Sequence, residues 1–184
     1  LFLCDHHLSH MKAENIDTKD NLLLEVLLAA KYEGQSLVKK YNEYIERHKV
    51  FPSDICTVLA RSFADIGDII RGKDLFRGYN EKDQEEKKQL QDNLKDIFAK
   101  IHGKLGDSIK SNYNDTTDFF KLREDWWNAN RLEVWKAITC HVVSGKYFRP
   151  TCGSGNNASA TYDKCQCANT DVPTNFDYVP QYLR

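Results

Sequence analysis

Hydrophobic residues recur at helical spacing in four stretches of this chain. The clearest pattern covers residues 53–71, where apolar side chains follow one another at steps of three and four: Ile55, Leu59, Phe63, Ile66 and Ile70. This spacing predicts one buried face of an α-helix. Ser53 is placed to cap its start, Gly72 is placed to end it, and Cys56 could tie its start to another segment. Gly67 lies inside the stripe, where glycine costs about 1 kcal/mol relative to alanine. We therefore expect another helix to pass close to Gly67.

A longer helix is predicted upstream of this stretch, from a cap at Thr18 or Asp20 to about His48. Its predicted inner face holds these residues: Leu23, Leu27, Ala30, Gly34, Leu37, Tyr41, Tyr44 and His48. The opposite face carries acids and bases in nearly equal number. Such a face is most simply exposed to solvent.

Two more helices are predicted downstream. One runs from Glu81 to about Gly103 and has these apolar residues in step: Leu90, Leu94, Ile97, Phe98, Ile101 and Leu105. The other runs from a cap at Thr117 to about Val143, with a bend expected near residues 128–130. It contains every tryptophan of the chain: Trp126, Trp127 and Trp135. We predict that these tryptophans fill the core instead of forming a ligand platform.

From Ser144 onward the helical pattern stops. Three of the four prolines, three of the six cysteines and several Gly, Asn and Ser residues lie in residues 144–184. The predicted fold is therefore all-α, a bundle of about four main helices with a disulfide-pinned, irregular C-terminal region. We predict one unit over residues 1–184, with a helical core at 18–143.

Composition and charge exclude several classes of protein. A net charge of −1 with 29% charged residues argues against nucleic-acid binding. A content of 41% hydrophobic residues argues against disorder. No apolar run is long enough to insert into a membrane, and the start lacks the pattern of a signal peptide. Both ends are expected to be cut from a longer protein.

Six cysteines, four of them after residue 139, favour disulfides formed in an oxidising compartment over free thiols in the cytosol: Cys4, Cys56, Cys140, Cys152, Cys165 and Cys167. Zinc is disfavoured because the chain has no C-x-x-C pair and the C-x-C at Cys165 is a poor match. Cys140 and His141 are neighbours on a predicted helix, so their side chains point apart. We predict no metal, no cofactor and no catalytic site.

Local charge suggests a binding surface. No acidic residue occurs between Glu133 and Asp163, and this interval carries cations beside Tyr147 and Phe148. A second cationic run lies near residue 102. The candidate residues for binding sulfated or sialylated glycans are these: Lys100, Lys104, Lys136, Lys146 and Arg149. For any single one of them, the alternative is an ordinary surface cation.

Several segments resemble one family. Residues 60–76, ARSFADIGDIIRGKDLF, closely resemble a signature block of Duffy-binding-like domains, best matched by the alpha class of the malaria parasite's erythrocyte membrane protein 1 family. AAKYEGQSL, DWWNANRLEVWKAITC, YFRPTC and FDYVPQYLR resemble further blocks in the family's order. Together they cover nearly the whole chain and are highly specific.

The resemblance implies mainly the second subdomain of a three-subdomain, disulfide-rich helical fold. It also implies an antigenically variable adhesin outside the infected red cell, anchored in the membrane far downstream. Alpha-class domains are linked to rosetting through heparan-sulfate-like glycans, blood-group sugars or a complement receptor. Many relatives have cysteine at the position of Leu27. With that cysteine absent, the implied pairing is Cys4–Cys56, Cys140–Cys167 and Cys152–Cys165.

Three functions remain, in order of preference. The first is adhesion to host red-cell receptors or glycans without catalysis. The second is a structural, immune-facing scaffold whose loops at residues 78–89 and 153–164 meet antibodies or act as spacers, and which binds receptor only together with the other subdomains. The third is an intracellular helical protein with a zinc or thiol function, which requires reduced cysteines or bound metal.

Overall fold

The computed structural model describes residues 8–50 and 53–184. Within them lie five α-helices: α1 (Lys19–His48), α2 (Ile55–Arg71), α3 (Glu81–Gly103), α4 (Asp107–Lys110) and α5 (Phe120–Thr139). The described residues form no β-strand, only two isolated bridges, Cys152 with Ser159 and Tyr162 with Gln166. The predicted all-α fold is confirmed. None of the helices in this part of the chain is long and apolar enough to cross a membrane.

Side-chain caps begin the first three helices. Thr18 accepts a hydrogen bond from the backbone N–H of Asn21 at 3.1 Å, as predicted. The predicted cap at Ser53 is wrong, because Asp54 accepts from the N–H of Thr57 at 2.9 Å and α2 starts one residue later. At the end of α2, Gly72 adopts φ 72°, a left-handed conformation that glycine tolerates without strain.

α5 begins differently from the prediction. Thr117 is not its cap. Asp115 instead accepts hydrogen bonds from the backbone N–H groups of Thr117, Asp118 and Phe120 at 3.0 to 3.1 Å. Three donors stabilise the carboxylate and lower its pKa. The helix then runs without a break through residues 128–130 and ends at Thr139, before the predicted Val143.

α5 is the central helix, in contact with α1, α2 and α3. Its tryptophans are buried, which confirms their predicted role in the core. Phe63 of α2 packs with its ring 5.2 Å from Trp127 and 5.3 Å from Trp135. A Cβ atom on Gly67 would lie 2.8 Å from the Trp127 indole. The predicted close approach of another helix at Gly67 is confirmed.

α1 crosses α5 at Gly34, where a Cβ atom would overlap the carbonyl oxygen of Ile138. We expect Gly34→Ala to lower the free energy of unfolding by about 2–3 kcal/mol, the upper part of the range for overpacking, because a helical carbonyl cannot rotate aside. Urea denaturation followed by circular dichroism measures this loss. Gly103→Ala is the matched control, since nothing lies within 4 Å of its Cβ position. Equal midpoints for the two variants would contradict the close crossing.

The C-terminal region is irregular and held by two disulfides, Cys56–Cys165 and Cys152–Cys167. The pairing implied by the resemblance is therefore wrong: Cys56 does not pair with Cys4, nor Cys167 with Cys140, nor Cys152 with Cys165. Cys140 is exposed and forms no disulfide among the residues that the structure describes. Cys4 lies outside those residues. The predicted disulfide-pinned character of residues 144–184 is nevertheless confirmed.

Candidate interaction surface

Residues 174–184, which we call the C-terminal segment, are attached to the bundle through the buried carboxylate of Asp177. Trp127 donates its indole N–H to this carboxylate at 2.8 Å. Arg131 donates from Nε and Nη2 to its two oxygens, each at 2.7 Å, a bidentate geometry. Arg131 also donates to the carbonyl of Thr174 at 2.9 Å. Every one of these groups is satisfied within the fold, so Asp177 is a structural anchor.

A second buried cluster surrounds Arg71 at the end of α2. Its guanidinium donates to the carbonyl of Gly67 at 2.9 Å, to Asp68 at 3.0 Å and to Glu124 at 3.2 Å, and it also contacts the carbonyl of Asp177. Arg184 contacts Asp68 from the other side. Burial raises the pKa of the Asp68 carboxyl, while the charges of Arg184 and Arg71 oppose that rise. This cluster joins the last residues of the chain to α2.

Arg123 closes the C-terminal end of α2. It donates to the carbonyl oxygens of Ile70 at 2.6 Å and Ile69 at 3.2 Å, and to the side chain of Gln91 at 2.8 Å. Burial lowers the pKa of its guanidinium to about 10, against a smaller upward effect of Asp118. The group stays protonated at neutral pH. Its donors are used inside the fold, so it is not a ligand-binding cation.

The predicted cationic run at residues 100–104 is bound to other parts of the chain itself. Lys100 donates to the carbonyl of Ala13 and to Asp17, whose carboxylate lies at 3.2 Å. Lys104 donates to the carbonyl of Asp17 at 2.6 Å. His102, between them, is buried and hydrogen-bonded to the carbonyl of Tyr113 at 3.0 Å. These two lysines attach residues 13–17, which we call the N-terminal turn, to α3.

The acid-free interval between Glu133 and Asp163 contains the more accessible cations. Lys146 and Arg149 are exposed, and the Arg149 guanidinium lies over the Phe148 ring, 5.2 Å from its centroid. Phe148 itself is 52% exposed. Lys136 is less available, because it pairs with Glu133 at 2.9 Å. We call the surface formed by Lys146, Phe148 and Arg149 the cationic face.

Tyr147 holds the cationic face in place. Its ring is buried, its hydroxyl lies 3.0 Å from that of Thr174, and its backbone N–H donates to the Thr161 hydroxyl at 2.9 Å. The backbone N–H of Cys165 donates to the carbonyl of Gly145 at 3.0 Å. Residues 145–149 therefore run beside residues 161–165. Tyr162, which is 66% exposed and which the sequence analysis did not single out, lies in this second segment. An aromatic residue between small polar residues was the only sequence signal for it.

The described residues contain no group of three or more His, Cys, Asp or Glu side chains that could hold a metal ion. Cys4, His6 and His7, which by residue type could ligate zinc, lie outside those residues. Cys165 and Cys167, which form the C-x-C considered above, are both in disulfides. The arrangement of charges and exposed aromatic rings at the cationic face suits the binding of a macromolecule.

Comparison with known proteins gives consistent matches. The family model described as "Duffy binding domain" matches residues 1–184. The chain is 29% identical over 125 residues to the Duffy receptor beta form of Plasmodium knowlesi, covering 67% of this chain and 8% of that protein. It is 31% identical over 110 residues to the gamma form, covering 59% of this chain and 8% of that protein. The chain thus spans less than a tenth of these curated relatives.

Solved structures agree with the match to the family model. The NTS-DBL1-alpha and CIDR-gamma double domain of the PfEMP1 protein from the Plasmodium falciparum varO strain matches with a TM-score of 0.77 and 37% identity, over 98% of this chain and 25% of that one. The PfEMP1 IT4var13 DBLbeta domain bound to ICAM-1 matches with a TM-score of 0.62 and 30% identity, over 96% of this chain and 39% of that one. With the family model matching from the first residue to the last, the chain belongs to the Duffy binding domain family.

Proposed function

We propose that this chain is a cell-adhesion module of a variant surface antigen, which binds host red-cell receptors or glycans without catalysis. Domains of the family mediate receptor binding, and one structural relative is bound to ICAM-1. Identity is higher to the structure containing DBL1-alpha, 37%, than to DBLbeta, 30%. This supports the alpha class, and we propose that the chain is mainly its second subdomain. The site of action is then the outer face of the infected erythrocyte, and the two disulfides fit that oxidising location.

The observation that carries the proposal is the cationic face. Lys146 and Arg149 are exposed, and the 29 residues between Glu133 and Asp163 include no carboxylate side chain to neutralise them. A sulfated polysaccharide such as a heparan-sulfate-like chain offers repeated anionic groups, and Phe148 offers a ring on which a sugar can pack. Single exposed ion pairs contribute only about 0.2–1 kcal/mol each. Useful affinity therefore comes from several such contacts along one polymer.

We expect Lys146→Glu with Arg149→Glu to elute from immobilised heparin at clearly lower salt than the unmodified chain, because the sign of the face is reversed. The matched control is Lys82→Glu with Lys88→Glu, which changes the net charge equally on the exposed start of α3. Lys100→Glu with Lys104→Glu tests the other predicted run, and we expect its main effect to be on the N-terminal turn. Equal shifts in elution for all three pairs of substitutions would mean that binding to heparin depends only on the net charge of the chain. Unchanged elution of the first pair would overturn the proposed face.

A scaffold that meets receptor only with the rest of the protein is the second candidate. Apolar side chains near the C-terminal segment are well exposed, Leu75 by 61%, Tyr182 by 75% and Leu183 by 66%. The backbone of Leu75 is joined to the side chain of Gln181 at 2.7 Å, so these residues share one surface. A surface of this kind suits packing against other subdomains, or antibody contact. Heparin binding that appears only in a longer chain would favour this candidate.

A further inference from the structure

We infer that residues 153–164 form a preorganised loop that recognises a protein surface, separately from the glycan contact at the cationic face. This inference rests on the proposed adhesive function. All twelve residues except Ala158 and Thr161 are exposed. The scaffold function gives this loop only the role of an antibody target or a spacer, and its construction differs from that of a simple spacer.

The loop is closed at its base in several ways. The Cys152–Cys167 disulfide joins its two ends. Cys152 and Ser159 exchange backbone hydrogen bonds at 3.0 and 2.8 Å, and the N–H of Gly153 donates to Asp171 at 3.1 Å. The N–H of Tyr162 donates to the carbonyl of Gln166 at 2.7 Å. A loop held this firmly loses little conformational freedom on binding, which favours affinity.

The backbone at the end of the loop is held in an uncommon conformation. Lys164 and Cys165 both have positive φ values, 67° and 59°, which non-glycine residues seldom adopt. The disulfide to Cys56 and the hydrogen bond from Cys165 to Gly145 hold this turn. Such conformations persist where the surrounding structure over-determines them, and they cluster at sites that grip ligands.

The side chains of the loop match those of antibody paratopes. Gly, Ser, Asn, Thr and Ala make up residues 153–161, followed by Tyr162. In paratopes, tyrosine supplies rigid contact area, and Ser, Gly and Asn supply adaptable hydrogen bonds. The loop carries one acid, Asp163, and one base, Lys164, so it has no net charge. A neutral, hydrogen-bonding loop with one exposed aromatic ring fits a protein surface with a small apolar pocket better than it fits a sulfated glycan.

The test measures binding of the labelled chain to human red cells in the presence of excess heparin, which occupies the cationic face. We expect heparin-resistant binding that disappears after trypsin treatment of the cells. Tyr162→Ala should weaken it about tenfold or more, as for an aromatic anchor, and should leave elution from immobilised heparin unchanged. Cys152→Ala with Cys167→Ala, which opens the loop, should weaken it as well. Tyr32→Ala, which changes an exposed tyrosine on α1 outside the loop, is the control.

Three outcomes would overturn the inference: no heparin-resistant binding, heparin-resistant binding that survives trypsin and so points to a glycan, or binding that Tyr162→Ala does not weaken. Tyr162→Ala is a surface change, so its result does not depend on whether the opened loop keeps its fold. If the proposed glycan contact is wrong, the variant Lys146→Glu with Arg149→Glu will elute from heparin at unchanged salt. The two failures are therefore distinguished by separate measurements.

Discussion

Replacing both Cys56 and Cys165 by alanine is expected to lower the free energy of unfolding by about 5 kcal/mol. These residues are 109 positions apart, and in the chain-entropy model a crosslink over about 100 residues restricts the unfolded chain by roughly that amount. Alanine avoids placing a new hydroxyl in this fully buried site. A loss of this size is a large share of the stability of an ordinary domain. Guanidinium denaturation followed by circular dichroism measures it.

The Cys152–Cys167 disulfide provides the internal control. It spans only 15 positions, for which the same model gives about 3 kcal/mol. We therefore expect the double alanine variant at Cys152 and Cys167 to be less destabilised, with its helices intact. Peptide mapping under non-reducing conditions should show that the Cys56–Cys165 disulfide stays intact in this variant. An equal or reversed order of stability would contradict the chain-entropy account of these two crosslinks.

Asp177→Ala is expected to destabilise the fold by about 3–5 kcal/mol, the range seen when one partner of a buried ion pair is removed. The variant leaves the Arg131 guanidinium without its bidentate partner and the Trp127 indole N–H without an acceptor. Both donors belong to the central helix α5, so the C-terminal segment should detach first. Tryptophan fluorescence should then shift to longer wavelength before the helices unfold, which urea denaturation with two probes can resolve.

Two companion variants sharpen this test. Asp177→Asn keeps a carbonyl acceptor for Trp127 but loses the charge, so its loss of stability should fall between those of the alanine variant and the unmodified chain. Asp92→Ala removes a carboxylate from the exposed side of α3 and should change stability by less than about 0.5 kcal/mol. If Asp177→Ala were as mild as Asp92→Ala, the buried network would not hold the C-terminal segment.

Charged residues in the core were the main feature that sequence analysis missed. Asp177, Arg71 and Arg123 are buried, although each is of a type that is usually exposed. Periodicity marks apolar positions only, so it cannot distinguish a buried, paired charge from a solvated one. Glu33, buried in the middle of α1, was missed for the same reason. Of the predicted inner face of α1, Ala30, Gly34 and Leu37 are buried. The buried row continues through Leu22 and Val26, because α1 packs on both α2 and α5, while Leu23 and Leu27 are only partly buried.

The candidate site was predicted in part. The acid-free interval pointed to Lys146 and Arg149, and both are exposed. The same reasoning could not show that Lys100 and Lys104 have acceptors at Ala13 and Asp17, more than 80 residues earlier in the chain. Whether a surface cation is available depends on which other segment lies against it. Spacing along the chain carries no information on that.

The sequence by itself determined where most of the main helices lie. α3 begins and ends at the predicted residues, α1 starts after its Thr18 cap, and Gly67 lies where a tryptophan packs. These features depend on hydrogen bonds and side-chain spacing within one or two helical turns, so local residue types specify them. Only the tertiary structure decided that Cys56 pairs with Cys165, and that Asp177 anchors the C-terminal segment on α5. Those contacts join residues far apart in the chain, and they form only where packing of the whole core brings the partners together.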